Sequence, residues 1–132
     1  MKSCLCLVLA AVSFFQAYSQ VVVDSVLIEG HYRTFRFHQP LQKAKKSNLV
    51  FILHGSGGNG EGMMKPAANL QAIAGQENIF LVYPDGYKRY WNECRKHATS
   101  EANKEDVNEQ VFFAAMLRYF AKNYGVNETG FS

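Results

Sequence analysis

Charged residues are few in this chain, and neither sign of charge dominates. Among 132 residues, lysine and arginine number 14 and aspartate and glutamate 11, so the formal net charge is +3. Charged residues make up 19% of the chain and hydrophobic residues 48%. This composition excludes a disordered or fibrous protein and is typical of a globular domain. Because the basicity is weak and scattered, we expect neither nucleic acid nor an anionic membrane surface as the partner.

The N-terminal apolar run, Cys4 to Phe15, is too short to cross a bilayer, which takes about 20 apolar residues. Lys2 precedes the run, and Ala17-Tyr18-Ser19 follows it with the small-x-small pattern of a cleavage site. We therefore expect residues 1–19 to be a signal peptide, residues 20–132 to be one partial domain, and the protein to be secreted or periplasmic. An N-terminal hydrophobic strand or helix is the alternative.

Metal-binding residues are also scarce. Cys4 and Cys6 lie in the expected signal peptide, so Cys94 would be the one cysteine left in an oxidising compartment. The four histidines share no ligand spacing with one another or with Cys94; they are His31, His38, His54 and His97. The sequence therefore predicts no metal site.

Hydrophobic patterning predicts strands first and then strands alternating with helices. Val21–Ile28 and Tyr32–His38 are typical of an antiparallel hairpin. The continuous apolar runs Asn48–Leu53 and Ile79–Tyr83 predict strands, the first of them central and buried on both faces.

Two segments have helical spacing, Met63–Gln76, which Gly75 should end, and Asp106–Tyr124, with Asp106 as the N-cap. A long loop should precede the second helix. This order predicts an α/β fold in which a hairpin leads into a mostly parallel sheet with helices on both faces.

The most informative motif is Leu53-His54-Gly55-Ser56-Gly57-Gly58-Asn59-Gly60, directly after the first apolar strand. Its glycines match the G-x-G-x-x-G fingerprint of dinucleotide-binding folds, with Asp85 near the place of a ribose-binding acid. The same residues match an oxyanion loop, in which glycines let backbone N–H groups approach a carbonyl oxygen. A glycine-rich turn without a ligand is the third interpretation.

Five motifs in register resemble the secreted α/β-hydrolase esterases of the polyhydroxybutyrate depolymerase and feruloyl esterase family. The resemblance extends from Gly30 to about Asn127. Its motifs are Gly30-x-x-Arg33 leading to Pro40, Leu53-His54-Gly55-Ser56-Gly57-Gly58, Tyr83-Pro84-Asp85-Gly86, Trp91-Asn92-x-Cys94 and Asp106-Val107.

The resemblance implies a serine esterase with a Ser-Asp-His triad in that chain order and with neither metal nor organic cofactor. Its substrate would be a polyester or an ester linked to a polysaccharide. The oxyanion loop would be His54, Gly55, Ser56 and Gly57, with the donor on the N–H of Ser56 or Gly57. Trp91 and Asn92 would shape the substrate face, and Cys94 resembles a family cysteine that forms a disulfide.

Gly130-Phe131-Ser132 resembles the first three residues of the G-x-S-x-G nucleophile elbow, so Ser132 is the expected nucleophile. The triad Asp and His would then lie beyond Ser132, and we expect this chain to be a fragment that ends near the elbow and is inactive alone. His97 precedes the elbow and is interpreted as a loop residue, and Asp85 as a turn residue. The alternatives are a secreted binding module without catalysis and, less favoured, a dinucleotide-binding oxidoreductase.

Overall fold

The strands and helices alternate after an initial pair of strands. The computed structural model describes residues 20–40, 47–93, 95 and 97–127. The strands are β1 (Val21–Ile28), β2 (His31–His38), β3 (Asn48–Phe51) and β4 (Ile79–Pro84). The helices are α1 (Gly60–Met64), α2 (Ala68–Gln76), α3 (Glu101–Lys104) and α4 (Glu109–Tyr124).

β1 and β2 form the predicted antiparallel hairpin, paired from Val21 with His38 to Ile28 with His31. The two-residue turn consists of Glu29 and Gly30, whose φ angles are 48° and 83°. Two positive φ angles are typical of the hairpin turn that matches the twist of the strands. The sequence prediction of the hairpin is confirmed.

The described strands form one mixed sheet in the order β1-β2-β4-β3. β3 pairs with β4 in parallel, whereas β2 pairs with β4 and with β1 in antiparallel fashion. The α/β class is confirmed, but the expectation of a mostly parallel sheet is wrong for the described residues. The reason is that the hairpin adds to β4 directly, so antiparallel pairs outnumber the parallel pair.

β3 is less buried than its apolar sequence predicts. Asn48 and Val50 are exposed, Val50 by 42%, and Leu49 and Phe51 are half-buried. Among the described residues, β4 is the one strand that pairs with β3 along its length. A parallel bridge between Ser47 and Val126 lies just before the start of β3. α1 and α2 pack chiefly against β4, so they do not bury β3. The prediction that β3 is buried on both faces is therefore wrong.

Helices cover both faces of the sheet, as expected, and β4 lies between them. Its alternate residues Phe80 and Val82 belong to an aromatic core on the α4 side. Leu81 and Tyr83 point the other way and pack with residues around α1 and α2. The α4 side carries the larger core, with the fully buried side chains Phe35, Phe37, Phe112, Met116 and Phe120. No helix in the described ranges is long and apolar enough to span a membrane.

The helices differ from the predicted ones at their ends. The first predicted helix is two helices, α1 and α2, because Pro66 lies between them and cannot donate a backbone hydrogen bond. Gly75 lies inside α2, one residue before its end. A short helix, α3, occupies part of the expected loop.

Asp106 does not cap α4, so that prediction is wrong. The N-cap is Asn108, whose side chain accepts from Val111 N at 3.0 Å. Asp106 has φ 47° and follows α3, so its left-handed backbone separates the two helices.

Candidate functional site

Two loops meet at the edge of the sheet where β3 and β4 end. The first, which we call the glycine loop, is Leu53–Gly60, and the second, the β4 loop, is Asp85–Asn92. Since β3 and β4 are parallel neighbours, their carboxyl ends lie at the same edge. In open α/β sheets this edge is where ligand sites form.

His54 is a buried connector between the two loops rather than a free base. It is 4% exposed, and its Nε2 accepts from Gly86 N at 2.8 Å. Its Nδ1 lies 2.7 Å from the Gly55 carbonyl oxygen, so the proton of the neutral ring is on Nδ1. With both ring nitrogens engaged, His54 fixes the start of the glycine loop.

Trp91 forms a wall behind His54. The two rings lie 4.9 Å apart at 32°, and Trp91 Nε1 donates to the His54 carbonyl oxygen at 2.9 Å. Phe113 of α4 stacks on the indole at 6.0 Å. Trp91 therefore fixes the start of the glycine loop, the oxyanion loop that the family resemblance implies. Its aromatic contacts within the described ranges are with His54 and Phe113.

Gly57 is held by Arg89 on both of its polar groups. Its N–H donates to the Arg89 carbonyl oxygen at 3.0 Å, and its carbonyl oxygen accepts from Arg89 Nε at 2.6 Å. The φ of Gly57 is 74°, a left-handed conformation that favours glycine. Gly58 N donates to Gly55 O at 3.0 Å and closes the turn.

These contacts distinguish the N–H groups of Ser56 and Gly57, the two oxyanion donors that the family resemblance implies. The Gly57 N–H is occupied by Arg89, whereas no hydrogen bond within the described ranges uses the N–H of Ser56. Ser56 is also exposed. The structure therefore leaves Ser56 as the loop amide that is available to a ligand.

Asp85 anchors the end of the glycine loop. Its Oδ1 accepts from Gly60 N at 2.6 Å, and its Oδ2 accepts from Arg36 Nη1 at 2.8 Å. Gly60 has no room for a side chain there, because a Cβ would lie 2.3 Å from the Tyr83 carbonyl oxygen. Asp85 thus joins α1, β2 and the β4 loop, and both of its oxygens are already bonded. This engagement disfavours its use as a ribose-binding acid.

Asn92 has its polar groups satisfied inside the protein. Its N–H donates to Glu109 Oε1 at 3.0 Å, and its Oδ1 accepts from Asn103 Nδ2 at 2.8 Å. Its Nδ2 donates to the Val107 carbonyl oxygen at 3.0 Å. The other oxygen of Glu109 accepts from the buried Arg33 at 2.8 Å. Asn92 therefore ends the β4 loop at a fixed place beside α4.

The outer side of the β4 loop is tied to the end of α3 at the surface. Tyr87 Oη and Lys88 Nζ donate to the two oxygens of Glu105 at 2.7 and 2.8 Å. The hydrogen bond from Lys88, with that from Tyr87, holds the pKa of Glu105 below its ordinary value. This contact involves the loop but leaves the glycines untouched.

A cleft of about 720 Å³ opens where Ser56 of the glycine loop and Tyr90 of the β4 loop are exposed. Glu93, Arg95 and the segment from His97 to Glu101 complete its walls. His97 lies in a turn, as the sequence predicts. The described residues contain no group of three or more side chains able to hold a metal ion.

Ser132 and Cys94 lie outside the described residues, as do the expected signal peptide and the rest of the expected elbow. Arg89 and Glu109, which position the two loops, were not found by sequence reasoning. Glu109 was interpreted only as part of the helix-start signature, and the contacts of Arg89 with Gly57 and of Glu109 with Arg33 join residues 32 and 76 positions apart in the chain.

The fold is that of a mixed α/β sheet with helices on both faces and two joined loops at its carboxyl edge. No protein-family model matches the chain, and no curated protein matches it. Among solved structures it is similar to the acetyl xylan esterase from Aspergillus awamori, with 22% identity and a TM-score of 0.54. The match covers 84% of this chain and 39% of that one, so the chain spans about two fifths of the esterase's length. At this identity the likeness shows a shared fold.

Proposed function

We propose that this chain contributes the oxyanion loop and the nucleophile of a secreted serine esterase that cleaves carboxylic esters. The observation that carries the proposal is the Ser56 N–H, which has no acceptor among the described residues and belongs to a residue that lines the cleft. In α/β-hydrolases one oxyanion donor comes from the loop between the third strand and the following helix. The glycine loop has that place here, between β3 and α1.

The nucleophile in this proposal is Ser132. Support comes from the parallel bridge between Val126 and Ser47, which brings the chain after α4 to the start of β3. The assignment of Ser132 itself rests on the match of Gly130-Phe131-Ser132 to the start of the nucleophile elbow.

The reaction is an acyl transfer through the serine. Ser132 Oγ attacks the carbonyl carbon while a histidine takes its proton, and the carbonyl oxygen becomes negative. The Ser56 N–H and the N–H of the residue after the nucleophile would donate to that oxygen. The histidine returns the proton to the leaving alcohol, and water then hydrolyses the acyl-enzyme. The histidine and its aspartate partner would follow Ser132 in the sequence.

The substrate class follows from the reaction and is supported by the structural neighbour. An esterase that acts on acetyl groups of xylan has the same fold, which makes a short-chain acetyl ester the first substrate to assay. Polyhydroxyalkanoates and feruloyl esters of plant polysaccharides are the other candidates from the sequence resemblance. Secretion is tested by N-terminal sequencing of the mature protein, which should begin at Gln20.

Labelling with a fluorophosphonate, which reacts with activated serine hydroxyls, tests the proposal on the product of the complete coding sequence. We expect one label, mapped to Ser132 by peptide mass, and loss of labelling and of acetyl-ester hydrolysis in Ser132→Ala. Ser25→Ala, a substitution of the same kind on β1, is the control and should keep both. Loss of labelling in Ser56→Ala but not in Ser132→Ala would contradict the proposal, because the nucleophile would then be in the glycine loop.

A further inference from the structure

Arg89 and Gly57 form a reciprocal pair across the two loops. The Arg89 main chain accepts from Gly57 N at 3.0 Å, and the Arg89 side chain donates from Nε to Gly57 O at 2.6 Å. One residue thus holds the peptide groups on both sides of Gly57. These are the peptide groups that directly follow Ser56 in the chain.

The backbone that presents Arg89 is strained. Lys88 and Arg89 are consecutive non-glycine residues with φ angles of 47° and 75°. Left-handed backbone is costly for such residues, and it persists where the surrounding structure fixes it, often at functional sites. This backbone conformation directs the Arg89 carbonyl group toward Gly57, and the Arg89 side chain contacts Gly57 as well.

Arg89 does not contribute to the hydrophobic core. It is exposed; its side chain donates to the glycine loop, and its carbonyl oxygen accepts from the same loop. Lys88 is also exposed and also has a positive φ, but its side chain turns away to Glu105 and Glu101. The two neighbours therefore differ in whether they touch the glycine loop.

We infer that Arg89 is a positioning residue for the oxyanion donor of the proposed esterase. By occupying the Gly57 N–H it leaves Ser56 as the donating amide, and by binding the Gly57 carbonyl oxygen it fixes the turn that carries Ser56. The inference rests on the proposed function. In this role Arg89 acts through the N–H donor at Nε and not through its positive charge.

Two substitutions separate the donor from the charge. Arg89→Met places a methyl group at the position of Nε and so removes the donor, whereas Arg89→Gln, of the same length as Met, restores an N–H donor at that position without the charge. Lys88→Met is the matched control, since it removes a cation from the adjacent residue. The wild type and the three variants are made from the complete coding sequence and assayed with an acetyl ester.

We expect Arg89→Met to lower kcat about tenfold with little change in KM, because a misplaced donor affects the transition state more than substrate binding. Arg89→Gln should recover most of the loss, and Lys88→Met should match the wild type. Equal losses in Arg89→Met and Arg89→Gln, or equal activity in Arg89→Met and Lys88→Met, would overturn the inference.

Amide hydrogen exchange tests the same contact without activity. Exchange at Gly57 should be faster in Arg89→Met than in Lys88→Met, and unchanged exchange would overturn the inference. A wild-type protein that neither hydrolyses esters nor reacts with the fluorophosphonate would contradict the proposed function. Active wild-type protein with no response to Arg89→Met would overturn the role of Arg89 alone.

Discussion

The glycine loop and the β4 loop leave the same edge of the sheet but are built differently. The glycine loop offers mainly backbone groups, and its one buried side chain is His54. The β4 loop supplies the carboxylate of Asp85, the indole of Trp91 and the guanidinium of Arg89. Five hydrogen bonds join the two loops.

The difference shows how a glycine-rich segment can have one conformation. Glycine loses more conformational freedom on folding than any other residue, so such a loop needs external contacts to hold it. Here the contacts come from the β4 loop, and they use the N–H groups of Gly57 and Gly60 but not that of Ser56. In the proposed esterase, a donor held in this way would stabilise developing negative charge without reorganising during the reaction.

The largest effect is expected from Gly57→Ala in the complete protein. A side chain at φ 74° is strained, and relief of the strain would turn the peptide groups beside Ser56. We expect kcat for an acetyl ester to fall about a hundredfold, the scale on which loss of an oxyanion donor acts. Gly75→Ala in α2, where a Cβ meets nothing within 4 Å, is the control. Equal kcat in the two variants would remove the glycine loop from the mechanism.

Asp85→Asn tests the anchor that the β4 loop provides. The amide loses the charge that pairs with Arg36, so we expect the free energy of unfolding to fall by about 2 kcal/mol, measured by urea denaturation. Glu61→Gln is the matched control because Glu61 also faces Arg36, but at 3.7 Å and with 74% of its side chain exposed. A similar small loss in both variants would show that Asp85 is an ordinary turn residue.

Trp91→Phe should have a smaller effect on stability. The ring can still pack between His54 and Phe113, while the donor to the His54 carbonyl oxygen is lost. We expect a loss of about 1 kcal/mol in the free energy of unfolding. Tyr90→Phe, which removes a hydroxyl from an exposed neighbour, should change it little. If Tyr90→Phe lowered the free energy of unfolding more than Trp91→Phe, the stabilising role assigned to Trp91 would be wrong.

Glu105→Gln should have the smallest effect and should depend on pH. The pKa of Glu105 is lowered in the folded protein, chiefly by the hydrogen bond from Lys88. A lowered pKa stabilises the fold above the ordinary value of 4.5, and the stabilisation is lost as the pH falls through the folded value. The variant should therefore have a slightly lower Tm at pH 7 and the same Tm at acid pH. A Tm difference that grows toward acid pH would contradict this assignment.

Local patterns predicted the strands and the α/β class because they depend on residues close in sequence. The hairpin and the order of strands and helices follow from alternation and turn residues. The break between α1 and α2 at Pro66 was missed, because the helical spacing predicted one helix over Met63–Gln76. The N-cap of α4 was assigned to Asp106 rather than Asn108. Aspartate and asparagine can both cap a helix. Asp106 does not, because its backbone is left-handed after α3.

The glycine loop was predicted as a candidate site because its glycines follow an apolar strand. Which amide is available could not be predicted, because the answer depends on Arg89, whose backbone meets Gly57 only after β3 and β4 pair. The burial of β3 was overestimated for the same reason, since its surroundings are set by tertiary packing.

The most direct test is a crystal structure of the complete protein after reaction with a fluorophosphonate. The account predicts phosphorus on Ser132 Oγ and the phosphoryl oxygen about 3 Å from Ser56 N, the distance of an oxyanion contact. It also predicts that the Gly57 N–H still donates to Arg89. Phosphorus on another residue, or a phosphoryl oxygen held by groups outside the glycine loop, would contradict it.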